Sequence, residues 1–80
     1  MKVGDLVVPV RAEALVHEHM QPMFSSRGRA RHWEADQVAL VVAIGVRHVG
    51  AHDVLKLQLL IEGELWWTGA GQAKPAGGYK

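Results

Sequence analysis

Four stretches of the chain carry the hydrophobic patterning of β-strands. Val3 to Val8 is rich in β-branched residues around a Gly4-Asp5 turn signal, and Pro9 stops it because proline lacks the amide a central ladder needs. Val38 to Val46 is apolar on both faces, which predicts a strand covered on both sides. The next run, Val54 to Ile61, alternates: Leu55, Leu57, Leu59 and Ile61 share one face, and Val54, Lys56, Gln58 and Leu60 the other. Glu62-Gly63 then supplies a tight turn into a fourth strand, Leu65 to Thr68. A two-residue loop places Trp66 beside Leu59, whereas a three-residue loop places Trp67 there. Either register leaves Leu60 and one tryptophan on the outer face. Leu60 and Trp66 are therefore candidate contact residues.

Between the first and second of these strands lie 29 residues, Pro9 through Gln37, where compact domains usually need about 4–6. Ala12, Leu15, Val16 and Met20 recur at helical spacing, with Pro9 near the start and Pro22 beyond the end, which predicts a helix in this insertion. Pro22 to Trp33 has neither period and reads as an irregular arm. From Gly69 onward the chain carries four glycines and Pro75, so residues from about 74 to 80 read as a flexible tail.

Composition narrows the class. Eighty residues make one domain, 1–80, which buries only about 60% of its unfolded surface. Hydrophobic residues at 49% and charged residues at 21% argue for a folded chain. The absence of cysteine excludes a disulfide scaffold, a thiolate metal cluster and a cysteine nucleophile. Nine Lys+Arg against eight Asp+Glu give a net charge of +1, too balanced for a strong non-specific nucleic-acid binder. The longest apolar run is nine residues, Val38 to Val46, against roughly 20 for a membrane span. Met1-Lys2-Val3-Gly4-Asp5 lacks the apolar stretch of a signal peptide, so synthesis in the cytoplasm is expected.

Met1-Lys2-Val3-Gly4-Asp5-Leu6-Val7, the Val41-Val42-Ala43-Ile44 stretch, the alternating aliphatics from Leu55 to Gly63, and Leu65-Trp66-Trp67 together resemble small SH3-like barrel proteins, including a group encoded by tailed bacteriophages. The resemblance covers about 45 residues: the first strand and Gln37 to about Ala73. It implies an all-β fold, a small SH3-like β-barrel of about five strands, here with a long, partly helical insertion between strands one and two at about residues 9–37. Asp36-Gln37 stand where such proteins commonly carry a glycine. The aromatic residues with which an SH3 domain grips proline-rich peptides are also missing, so peptide binding of that kind is not expected.

The insertion carries the candidate interface chemistry. Arg27, Arg29 and Arg31 concentrate three of the nine basic residues in five positions, and arginine pairs with carboxylates or phosphates. Phe24 and Trp33 stand in a polar stretch as candidate anchors on a partner, and they fit the chain's own core equally well. The expected function is a non-enzymatic structural subunit of a bacteriophage virion, a capsid decoration or head–tail neck protein whose arm ties neighbouring subunits together. Its partners would be capsid or neck proteins, or further copies of the chain. The alternative is a small nucleic-acid-associated module using Arg27, Arg29 and Arg31, with binding that falls steeply with salt.

No catalytic set, metal site or cofactor is expected. Glu62 and Glu64 flank a turn as solvent-facing charges, and Ser25-Ser26 lacks the context of a nucleophile. His17 and His19 form a His-x-His pair, with His32, His48 and His52 elsewhere. A helix from Ala12 to Met20 would set the pair about 200° apart, too far to chelate.

Overall fold

A computed structural model describes residues 1–19 and 29–77. Its regular structure is β-strand: β1 (Leu6–Pro9), β2 (Glu13–His17), β3 (Ala30–Glu34), β4 (Ala39–Val49), β5 (His52–Ile61), β6 (Glu64–Gly69) and β7 (Ala73–Pro75), with a 3₁₀ turn at Ala70–Gln72. The strands form one antiparallel sheet in the order β3-β2-β6-β5-β4-β1-β7, curled into a half-barrel. β1 also packs against β3.

Alternation builds the core. Leu57, Leu59 and Ile61 of β5 point inward and are fully buried, with Trp66 and Thr68 of β6 opposite Leu59 and Leu57. Val7, Ala14, Val16, Trp33, Ala39, Val41 and Ala73 complete the cluster. The β5–β6 turn is the two-residue loop Glu62-Gly63, because Ile61 pairs with Glu64. Both turn residues have positive φ, 51° and 81°, as a type I′ hairpin requires. Register follows from that loop: Trp66 faces the core and Trp67 the outside.

β4 and β5 form a hairpin much longer than the barrel needs. Its turn is Gly50-Ala51, with Val49 paired to His52 and Gly50 at φ 60°. β1 pairs with β4 only at Leu40 and Ala39, and β6 stops pairing with β5 at Lys56. Beyond those points the hairpin runs on alone, which makes the molecule elongated, 39 × 26 × 21 Å. A bulge between Val41 and Ala43 inserts Val42. One extra residue exchanges the two faces of the strand beyond it, so Ile44 and Val46 fall on the core side, opposite Leu57 and Leu55.

Several expectations need correction. The insertion contains no helix among its described residues: Glu13–His17 is strand β2, with Ala14 and Val16 buried and Glu13, Leu15 and His17 outward. Helical and strand spacing both accommodated these residues, and pairing decided between them. All five β2 residues find partners in β3, from Glu13 with Glu34 to His17 with Ala30. The irregular arm likewise ends in an ordered strand, β3. The described residues hold seven strands, not five, because β2 and β3 arise inside the insertion; β7 lies at the start of the glycine-rich tail. β7 holds the edge through pairs to Val7, Val8 and Pro9.

Candidate protein-docking surface

Arg29 and Arg31 fold back onto the chain's own barrel. Arg31 lies on β3 opposite Val16, with Arg29 just before the strand. The Arg29 guanidinium donates to Glu18 at 3.0 Å and to Glu64 at 3.4 Å, and Arg31 donates to Glu62 at 2.9 Å. Gln37 donates to the same Glu62 carboxylate at 2.8 Å. Both guanidiniums sit over the Trp66 ring, 5.2 and 5.8 Å from its centroid, within cation–π range. The Trp66 indole N–H is buried with no acceptor among the described residues. This clasp joins β2, β3 and β6.

Electrostatics follow the same geometry. The hydrogen bond from Arg29 holds the Glu18 carboxyl below its ordinary pKa, and Glu18 in turn raises that of Arg29. Lys56 is lowered, first by burial and then by the Arg47 charge.

The candidate interface residues therefore separate. Trp33, expected as an anchor on a partner, is fully buried in this chain's own core, and its Nε1–H donates to the Gln37 carbonyl at 2.6 Å. Trp66, a candidate contact residue with the hairpin register open, is 2% exposed because the two-residue turn aims it inward. Arg29 and Arg31 are engaged by carboxylates of the same chain. Phe24 and Arg27 lie outside the described residues. Only Leu60, 37% exposed, stands on the outer face as expected. There it joins a row of leucines across four strands, through the pairs Leu6 with Leu40, Leu40 with Leu60, and Leu60 with Leu65.

A second surface escaped the sequence reading. On the isolated part of the β4–β5 hairpin the core face simply continues into solvent. Ile44, Val46 and Leu55 lie on the side that is still buried at Leu57, the partner of Ile44, yet they are 41%, 45% and 53% exposed. At its tip the same face carries the His48–Asp53 pair, Nδ1 to Oδ1 at 2.5 Å. Residues 42–49 of β4 also have no strand partner on the side away from β5 among the described residues. Such an edge offers unpaired main-chain N–H and C=O groups to another chain. The signal was the length of β4 and β5 relative to their neighbours, which local patterning does not reveal.

Strand geometry in β2 removes the helical objection to the His17–His19 pair, although β2 ends at His17. No group of three or more His, Cys, Asp or Glu side chains among the described residues is placed to hold a metal ion. Nor is any helix there long and apolar enough to cross a membrane. Comparison with family models, with curated proteins and with solved structures finds no match to the chain.

Proposed function

We propose that this chain is a non-enzymatic structural subunit that docks onto protein neighbours through the free half of its β4–β5 hairpin. The observation that carries the reading is the uncovered continuation of the core face at Ile44, Val46 and Leu55. Full burial of one such aliphatic side chain is worth about 1.5–3 kcal/mol. A monomer forgoes much of that gain, and a partner laid against the hairpin recovers it. The unpaired β4 edge adds main-chain hydrogen bonding to the same contact.

The setting we propose is a tailed-bacteriophage virion, as a capsid decoration or neck component, with the curled sheet a variant of the SH3-like barrel. This revises how the contact is made. Arg29, Arg31 and Trp33 hold the barrel together, and the hairpin reaches the neighbour. A nucleic-acid role loses support, since Arg29 and Arg31 are already neutralised by Glu18, Glu62 and Glu64.

Electron microscopy of particles with and without the chain tests the proposal. We expect density for it on the shell or neck, with the hairpin at the contact. An Ile44→Asp, Val46→Asp chain should remain folded and fail to incorporate. Absence of the wild-type chain from purified virions overturns the virion reading, and normal incorporation of the double variant overturns the hairpin contact.

A further inference from the structure

A cleft opens on the flank of the barrel, at the seam between β2 and β6. The two strands share a single register pair, His17 with Trp67. The Thr68 hydroxyl spans the seam to the Leu15 carbonyl at 3.4 Å. β5 and β6 end their pairing at Lys56 with Gly69, and the 3₁₀ turn then carries the chain away. What remains is a recess of about 360 Å³ lined by Leu15, His17, Lys56, Thr68, Gly69 and Gln72. That volume falls within the roughly 300–1,000 Å³ typical of small-molecule sites.

The lining is one-sided in charge. It includes an ammonium, an imidazole and a carboxamide, and no carboxylate. Arg47 adds a second positive charge beside Lys56, since the pairs Gly45 with Lys56 and Arg47 with Val54 place both side chains on one face. Neither cation forms an ion pair among the described residues, whose ion-paired carboxylates are Glu13, Glu18, Asp53, Glu62 and Glu64. Lysine is a compact, strongly hydrated charge. Holding it half-buried beside another cation disfavours its protonated form, and an oxyanion in the recess would reverse that penalty.

We propose that this cleft binds a small oxyanion, a carboxylate or phosphate group, with Lys56 supplying the charge and His17 and Gln72 the flanking hydrogen-bond donors. The site is separate from the hairpin contact, and the two can be tested apart. The experiment is a ¹⁵N NMR titration of the full chain with inorganic phosphate, with citrate, and with chloride at matched ionic strength. Saturable shifts of the Thr68, Gly69 and Gln72 amides with phosphate or citrate, and none with chloride, are expected. The oxyanion that saturates at the lower concentration identifies the preferred chemistry.

Lys56→Gln should weaken binding at least tenfold with the spectrum otherwise native. Should that variant not fold, His17→Asn and Gln72→Ala provide the measurement, each expected to weaken binding several-fold. Val46→Asp should bind as wild type does, which separates this site from the docking surface. Equal shifts with chloride, or undiminished binding in the cleft variants, overturn the proposal.

Discussion

The two ends of the sheet depart from the apolar-in, polar-out pattern in opposite ways. At the β2–β3–β6 end, polar side chains are drawn inward: Arg31 is only 26% exposed, lies over Trp66 and is tied to Glu62. At the far end of the β4–β5 hairpin, apolar side chains are left outside, with Val46 and Leu55 about half exposed. The clasped end has strands on both sides of β2 and β6, so side chains there have neighbours on either flank. The hairpin end has only its own two strands. A two-stranded ribbon is at best marginally stable alone, so the clasped end carries the stability of the fold while the hairpin leaves surface open for a partner.

The sharpest way to break this comparison is to empty the core under the clasp. Trp33→Ala removes the largest fully buried side chain and should destabilise by about 3–5 kcal/mol, a large share of what a small domain has. Urea unfolding would show a collapsed midpoint or no cooperative transition. Val46→Thr, on the hairpin, should stay within about 0.5 kcal/mol of wild type. Equal losses at both positions would mean that the hairpin is as much a part of the core as β3.

Arg31→Ala comes next, at about 1–2 kcal/mol, because it uncovers Trp66 as well as releasing Glu62. Arg31→Lys should restore little of this, since an ammonium lacks the planar group that lies over the ring. Gly50→Ala places a Cβ at φ 60°, a strain of about 1 kcal/mol. That strain should appear locally: faster amide exchange at Arg47 and Val54, with Leu57 and Leu59 unchanged. Uniform acceleration would show that the hairpin opens only with the whole domain.

The smallest effect concerns the exposed Glu18–Arg29 pair. The Glu18 carboxyl is depressed in the folded state by Arg29, so its stabilising contribution is present above the unfolded-state pKa. It is lost as pH falls through the lower folded-state value. Glu18→Gln should therefore reduce stability slightly at neutral pH, and the difference from wild type should vanish in acid. Thermal unfolding across pH 2 to 7 measures it, and added salt should shrink it.

Legibility followed contrast between neighbouring positions. In β5, Leu57, Leu59 and Ile61 alternate with Gln58 and Leu60, and Glu62-Gly63 marks the turn, so strand, face and hairpin could be read directly. β3 lacked that contrast: its inward positions are Arg31 and Trp33, and a core-facing arginine makes alternation look like a polar loop. β2 was ambiguous because Ala14, Leu15 and Val16 suit a helix face or a strand, and its β3 partner lies across residues 18–29. The uncovered hairpin face was hidden for a further reason. In Val41-Val42-Ala43-Ile44 every position is apolar, so nothing local marks Val42 as the bulged residue or says which side Ile44 and Val46 will face.

Local chemistry alone thus determined the strands β1, β4, β5 and β6, the buried face of β5 and the β5–β6 hairpin, because alternation and turn residues act over a few positions. Tertiary pairing decided the strand nature of β2, the burial of Trp33, the inward arginines and the uncovered hairpin. Each of those depends on which distant strand supplies the opposite side chain and hydrogen-bonding edge, and on where that strand stops.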